Sequence, residues 1–315
     1  MTVLAIVGVC PVLETPFRGD GTVDEAGFVR VIDHMLDAGV KNVMFPGFAS
    51  EFHKLSEEER TRLIGTLLER TADVDGFTAV ISIPDHATAL AVKRAREAVA
   101  AGAGAINILP PHFLNPSREA TRQHVLSVVR AVAPVPVVLQ YAPSQTGTAL
   151  DADTIAELAR DAPNLVQVKV ESTPPGALIT ALAKTVPPLS SVVGYAGVQM
   201  PDALRRGADG VEPGCSFVEL YLEVWRLWQV GQESEAEALH RRMLPYISYW
   251  MQGSELIIAA EKEISARRGI IESGYCRAPA HELDEHELAM IDRFLSEFAD
   301  VLSSPTQRRS SPLPA

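Results

Sequence analysis

Apolar and polar residues alternate along the chain in two different rhythms. Short runs rich in β-branched and other apolar residues are typical of parallel strands that are buried on both faces. Between them, apolar residues recur every three or four positions, which predicts amphipathic helices. The predicted strands cover residues 7–15, 42–46, 77–83, 105–109, 135–141, 165–170, 191–195 and 209–213.

Helices are predicted after each of these runs. The first has an apolar face from Phe28 to Leu36 and is followed by Gly39, a residue that favours a helix end. In the second, Ser56 and Glu59 have the spacing of a capping box. Further helices are predicted at 86–102, 117–132, 151–161, 175–185, 198–206 and 216–231, and three more helical segments between 234 and 302.

Eight strands that alternate with helices are compatible with a closed barrel or with an open doubly wound sheet. The turn after the second strand lacks the G-x-G-x-x-G spacing typical of nucleotide-binding sheets. We therefore predict an α/β protein, a (β/α)₈ TIM barrel over residues 1–233. Residues 234–302 are predicted to be a helical extension of the same domain, and residues 303–315, rich in Ser, Pro and Arg, to be disordered.

Composition narrows the classes of partner. The net charge of −12 argues against nucleic-acid binding, which requires clustered Lys and Arg. No apolar run reaches the roughly 20 residues needed to cross a bilayer. The three cysteines have no metal-ligand spacing, and no zinc cluster or phosphate-binding loop is present in the sequence. We expect a cytoplasmic protein that uses no metal and no cofactor.

Lys169 lies in an apolar run near the end of the sixth predicted strand. Alternation puts Lys169 and Glu171 on one face of the strand, which points inward in a barrel, toward the end where such enzymes have their active sites. A dry environment lowers the pKa of a lysine and makes its amine an available nucleophile. Alternatively, Lys169 only pairs with Glu171 or another carboxylate for structural reasons.

Four other positions near strand ends are candidates. Glu171 is a candidate general acid or base, or only the neutralising partner of Lys169. Glu212 follows the last strand and is a candidate substrate contact, although a loop glutamate is more often solvated. Gln140 and Tyr141 end the fifth strand, where only one of the two can point straight into the barrel. Gln140 is a candidate for substrate binding and Tyr141 for catalysis.

These motifs resemble the dihydrodipicolinate synthase/N-acetylneuraminate lyase family along residues 8–300. Residues 15–60 are similar to the family's opening signature, the P-x-x-T-G pattern that begins at Pro143 is similar to its fifth loop, and Lys169 matches its Schiff-base lysine. The resemblance implies a barrel that forms an imine with a 2-oxo acid. It also implies a homo-oligomer, a dimer or a tetramer.

The chain departs from the family at a turn that holds the substrate carboxylate. Family synthases have Gly-Thr-Thr-Gly-Glu there, whose two hydroxyls also relay protons. In this chain the turn is Gly47-Phe48-Ala49-Ser50-Glu51. Because the backbone N–H groups do not depend on side-chain identity, Gly47, Phe48, Ala49 and Ser50 are still expected to bind a carboxylate.

Three other family residues are replaced. Gln140 aligns with the proton-relay tyrosine, Phe113 with a second tyrosine, and Gln145 with the arginine that recognises the second substrate of the synthase. Phe113 keeps a predicted place in the substrate site. These changes predict that the chain does not make dihydrodipicolinate.

One subgroup of the superfamily is similar in these respects. Gln140-x-Ala142-Pro143 followed by Lys169-x-Glu171 resembles the 2-keto-3-deoxy-L-arabonate dehydratases, although Tyr141 stands where they have aspartate. This resemblance implies a lyase that dehydrates a 2-keto-3-deoxy sugar acid or a related 2-oxo acid through Lys169. Two alternatives remain: a class I aldolase that releases pyruvate from a 4-hydroxy-2-oxo acid, and an inactive barrel that only binds a ligand.

Overall fold

A computed structural model describes residues 6–111, 114–147 and 150–302, without the side chains of residues 145 and 146. Its single sheet has eight parallel strands in the order β1-β8-β7-β6-β5-β4-β3-β2. The strands are β1 (Gly8–Val9), β2 (Asn42–Phe45), β3 (Thr78–Ile83), β4 (Ala105–Ile108), β5 (Val137–Tyr141), β6 (Leu165–Val170), β7 (Ser190–Val193) and β8 (Gly210–Val211).

The sheet is a nearly closed barrel. Its two end strands, β1 and β2, are linked by two hydrogen bonds that run from β2 to residues flanking β1. The Met44 N–H donates to the Pro11 carbonyl at 3.0 Å, and the Asn42 side chain donates to the Val7 carbonyl at 3.0 Å. The predicted (β/α)₈ barrel is confirmed. The prediction of a first strand over 7–15 is wrong in its extent, since only Gly8 and Val9 pair as a strand; Pro11 has no N–H for a ladder.

Helices follow the strands in the predicted order, and a set of C-terminal helices completes the chain. The capping box of the second helix is formed, with reciprocal hydrogen bonds between Ser56 and Glu59. The helices are α1 (Glu25–Asp37), α2 (Glu57–Thr71), α3 (Thr88–Ala100), α4 (Arg118–Ala131), α5 (Pro143–Thr146), α6 (Ala152–Asp161), α7 (Gly176–Leu182), α8 (Met200–Arg205), α9 (Val218–Gln229), α10 (Glu233–Trp250), α11 (Ser254–Arg267), α12 (Glu285–Glu297) and α13 (Ala299–Leu302).

Two compact units divide these elements. The first unit consists of Met1–Pro11, Lys41–Pro46 and Ile64–Pro213 and contains all eight strands. Apolar residues fill its core at every strand, and β4, β5 and β6 are buried along their whole length. This unit therefore supplies every residue that stands in the barrel wall.

The second unit consists of Val12–Val40, Gly47–Leu63 and the described residues from Gly214 onward. Its core contains a cluster of aromatic rings from α9, α10 and α12 and from the residues next to these helices. Between ring centroids, Phe294 lies 5.2 Å from Trp250 and 5.0 Å from Phe217. The assignment of residues 234–302 to the same domain as the barrel stays a prediction. The predicted disordered tail, 303–315, lies outside the described residues.

No helix in the described part of the chain is both long enough and apolar enough to cross a membrane.

Candidate active site

Lys169 stands at the next-to-last position of β6 with its side chain buried in the first unit. The strand pairing places it directly beside Gln140 of β5. Its side chain is only 4% exposed. The burial of the Lys169 side chain and its position beside Gln140 are compatible with the inward orientation that strand alternation predicts.

Two carboxylates contact this lysine from two different strand ends. The Lys169 Nζ lies 3.0 Å from Glu212 Oε2 and 3.6 Å from Glu171 Oε1. Glu212 follows β8 directly, where its N–H donates to the Val193 carbonyl at 2.8 Å. Its side chain is fully buried, which contradicts the expectation that a loop glutamate would be solvated. One ammonium thus lies between two acidic groups.

The charges in this group oppose the effect of burial on the lysine. Burial lowers the pKa of Lys169, but the negative charges of Glu171 and Glu212 outweigh it, and the net pKa lies above the ordinary value. The expectation that a dry site lowers the lysine pKa is thus wrong for the free protein. Burial raises the pKa of Glu212, and the Lys169 ammonium only partly offsets that rise.

A chain of side-chain amides fixes the second carboxylate. The Gln140 Nε2 donates to Glu171 Oε2 at 2.7 Å, and Asn107 Nδ2 donates to Gln140 Oε1 at 3.0 Å. The Asn107 amide also donates to Ser82 Oγ at 2.9 Å. Because Asn107 occupies the carbonyl end of the Gln140 amide, the NH₂ end of that amide is directed at Glu171. The series Ser82–Asn107–Gln140–Glu171 thereby orients the carboxylate beside the lysine.

Gly194 provides the space that Glu171 occupies. A Cβ at position 194 would lie 2.4 Å from both Glu171 Cγ and Glu171 Oε1. The two residues that follow, Tyr195 and Ala196, have φ values of 50° and 49°, in the left-handed region. The absence of a side chain at Gly194 is thus a condition for the observed position of the Glu171 carboxylate.

Sequence reasoning missed Asn107, Ser82 and Gly194. Asn107 was identifiable from the sequence, because it is the one polar side chain in the apolar run of β4. Gly194 was not, because a single glycine after a strand is common in ordinary loops.

Tyr141, the third residue predicted to be catalytic, has different neighbours. Burial raises the pKa of its phenol, while a hydrogen bond from the Leu150 backbone partly offsets that rise. Among the contacts described for Tyr141, none involves the side chain of Lys169 or Glu171. The catalytic role of Tyr141 stays a prediction.

The predicted carboxylate-binding turn belongs to the second unit. The Ser50 hydroxyl accepts from the Gly47 N–H at 2.9 Å and donates to the Leu13 carbonyl, so it holds the turn in shape. Phe48 and Ala49 begin a short 3₁₀ helix, whose first N–H groups have no partner within the helix itself. That these groups bind a carboxylate stays a prediction.

Two other expectations concern the limits of the site. Phe113, a predicted substrate contact, lies outside the described residues. No group of three or more His, Cys, Asp or Glu side chains that could hold a metal ion is found among the residues that the structure describes. All three cysteines are free thiols.

The model of the dihydrodipicolinate synthetase family matches residues 5–298 of this chain. The chain therefore belongs to this family. It is a lyase of the pyruvate-type aldolase kind.

Relatives with different activities resemble the chain. A 4-hydroxy-tetrahydrodipicolinate synthase of Chlorobium limicola is 33% identical over 77% of this chain and 81% of its own length. An L-2-keto-3-deoxyarabonate dehydratase of Azospirillum brasilense is 28% identical over 88% and 89%, and a probable 2-dehydro-3-deoxy-D-pentonate aldolase of Escherichia coli is 26% identical over 88% and 92%. The crystal structure of dihydrodipicolinate synthase from Rhodopseudomonas palustris has a TM-score of 0.85 and 26% identity, covering 93% of this chain and 97% of that one.

Proposed function

We propose that the chain is a Schiff-base-forming dehydratase of a 2-keto-3-deoxy sugar acid or a related 2-oxo acid. The observation that carries this proposal is the position of the Glu171 carboxylate, 3.6 Å from the Lys169 amine and held by Gln140. A carboxylate at that position is suited to remove a proton from a carbon next to an imine carbon. The resemblance to a dehydratase over most of the chain supports the same reaction.

In this mechanism the Lys169 amine attacks the C2 ketone and water leaves, which gives a protonated imine. The imine withdraws electrons from the bond between C3 and its hydrogen and thereby acidifies that hydrogen. Glu171 removes the C3 proton, and the resulting enamine expels the C4 hydroxyl. The proton now on Glu171 is available to the departing oxygen, so that water leaves. Hydrolysis of the remaining imine releases the 2-oxo product and restores Lys169.

A class I aldolase is the second candidate, and the resemblance to a probable pentonate aldolase favours it. The imine is the same, but the base takes the proton of the C4 hydroxyl, the C3–C4 bond breaks, and pyruvate is released with an aldehyde. The two reactions therefore share Lys169 and differ in the proton that is removed.

The proposal is tested by trapping the imine. Purified protein is treated with borohydride in the presence of pyruvate and then of a panel of 2-oxo sugar acids, and adducts are read by intact mass. We expect a reduced adduct on the wild-type protein and none on Lys169→Arg, since a guanidinium offers no neutral amine. Absence of an adduct on the wild-type protein with every compound would refute the proposal.

A second assay separates the two candidates. Substrates that are trapped are incubated without borohydride, and free pyruvate is measured alongside the loss of water. A dehydratase gives a dehydrated 2-oxo acid and no pyruvate, whereas an aldolase gives pyruvate in equal amount to the aldehyde.

A further inference from the structure

We infer that Glu212 is a catalytic residue that takes a proton from the Lys169 ammonium before the amine attacks and returns it to the oxygen that leaves as water. This inference rests on the proposed function, because it assigns the proton transfers of imine formation on Lys169. It gives the two carboxylates beside the lysine separate tasks: Glu171 acts at substrate carbon, and Glu212 acts at the nitrogen and the departing oxygen.

The position of Glu212 supports this assignment. Its Oε2 is the closer of the two carboxylate contacts to the lysine nitrogen, at 3.0 Å against 3.6 Å for Glu171. Gln140 donates to the Glu171 carboxylate, but apart from Lys169 no hydrogen-bond partner for either Glu212 oxygen is found in the described part of the chain. Glu171 and the Cys10 thiol also interact electrostatically with Glu212. Burial and the charge of Glu212 raise the pKa of that thiol well above its ordinary value, so Cys10 stays protonated and Lys169 is the group with which Glu212 exchanges a proton.

Burial explains why Lys169 needs a neighbouring group that accepts its proton. The side chains of Lys169 and Glu212 are 4% and 0% exposed, so neither exchanges protons readily with bulk water. Lys169 carries a proton that must leave before its nitrogen can attack a ketone. Burial also raises the pKa of Glu212, which makes it a stronger base than an exposed carboxylate.

The step balances without any proton from solvent. The ammonium of Lys169 passes one proton to the Glu212 carboxylate, and the free electron pair on nitrogen forms the bond to C2. One nitrogen-bound proton moves to the former carbonyl oxygen, which gives a hydroxyl, and the neutral Glu212 carboxyl donates its proton to that hydroxyl. The C–O bond breaks, water leaves, and the products are a protonated imine and a Glu212 carboxylate, with the same total charge as at the start.

A purely neutralising role for Glu212 predicts the opposite result on its removal. If Glu212 only holds the positive charge of Lys169, then Glu212→Gln makes the ammonium easier to deprotonate, and the imine should form as fast as in the wild type or faster. If Glu212 is the proton carrier, the same variant must use solvent instead, and imine formation slows although the amine is easier to deprotonate.

The experiment measures the rate at which the imine forms with pyruvate, by rapid mixing followed by borohydride quenching, between pH 6 and pH 9. In the wild type we expect a rate that is independent of pH, because the proton stays inside the site. In Glu212→Gln we expect a rate about 10²–10⁴-fold lower at pH 7, the usual contribution of a positioned acid or base, rising with pH as hydroxide replaces the lost group.

One variant serves as a control. Glu261→Gln removes a different buried carboxylate, which is hydrogen-bonded to Ser216, and should leave imine formation unchanged. Circular dichroism establishes that each variant is folded.

Imine formation in Glu212→Gln at the wild-type rate would overturn the role of Glu212 and leave Lys169 in place as the Schiff-base residue. If Glu212→Gln does not fold, the pH dependence of the wild type decides alone, and a rate that rises tenfold per pH unit would overturn the inference. Failure of the wild type to form any adduct would instead refute the proposed function.

Discussion

Replacing Gly194 by alanine tests whether the position of Glu171 sets the rate of the proposed reaction. The added methyl group would lie 2.4 Å from Glu171 Cγ and 2.7 Å from Glu171 Cδ, whereas ordinary contacts of a Cβ begin near 3.4 Å. The Glu171 side chain must therefore move by about 1 Å. The three nearest atoms all belong to this one side chain, so its movement relieves the closest contacts.

The size of the effect follows from this displacement. A shift of about 1 Å in a reacting group can reduce a rate by about 10²-fold. Moving Glu171 also weakens, without abolishing, its 2.7 Å hydrogen bond with Gln140; an intact hydrogen bond to a charged group contributes about 1.5–3 kcal/mol to stability. We expect Gly194→Ala to lower the rate of C3 hydrogen exchange by about 10²-fold and the free energy of unfolding by no more than about 1–2 kcal/mol.

The assay follows the exchange of the C3 hydrogens of pyruvate with deuterium by NMR, on the same preparation in which borohydride trapping is measured. Trapping through Lys169 should stay close to the wild-type level, since the amine and its contact with Glu212 are not displaced. Gly65→Ala is a matched control, because a Cβ at that helical position has no neighbour within 4 Å. It should leave both measurements unchanged. Wild-type exchange in Gly194→Ala would refute the idea that the observed Glu171 position is required.

Two further changes address acidic groups. Glu171→Gln should still trap pyruvate, because imine formation needs only the amine and a ketone. The rate of C3 hydrogen exchange and the turnover rate should both fall by about 10²–10⁴-fold. Intact exchange would exclude Glu171 as the base and favour Tyr141 or Glu212. In the second unit, the pKa of Glu14 is raised from the ordinary 4.5 to about 8, chiefly by burial and further by the charge of Glu261. Because the protonated form is favoured in the folded protein, folding stability that is fully present below pH 4.5 is lost as pH rises toward 8. Glu14→Gln should therefore remove about 3–5 kcal/mol of the pH dependence of unfolding between pH 5 and pH 8, measured by reversible urea denaturation, and parallel curves for the two proteins would contradict this.

The order and type of the elements were predictable because their signals are local. Continuous apolar runs such as β6 and helical faces such as that of α1 repeat with the period of their own secondary structure. The short extent of β1 had one local signal, Pro11, which has no N–H for a ladder; the other residues after Val9 are as apolar as a strand. Where pairing stops depends on a partner strand about 200 residues away in sequence.

The pairing of Lys169 with Glu171 was predictable for the same reason, since two residues on one strand share a face. The contact with Glu212 was not, because it joins residues that are far apart in sequence. Without that contact, only one carboxylate is expected beside the lysine, and the expectation that burial dominates gives the wrong direction for the pKa of Lys169. The direction is set by two charges, and only one of them could be placed from the sequence.

The burial of the group offers a reason why this site can form an imine through its own carboxylates. With Lys169 as an ammonium and both glutamates ionised, the group carries one net negative charge, and a 2-oxo acid brings a second. That second charge favours the protonated forms of Lys169 and Glu212 alike, so it does not by itself move a proton from one to the other. In the proposed mechanism, transfer of the proton from Lys169 to Glu212 replaces a buried ammonium and a buried carboxylate by two neutral groups. Because a charged group is more costly to bury than a neutral one, exclusion of water by the bound substrate favours the neutral amine that attacks it.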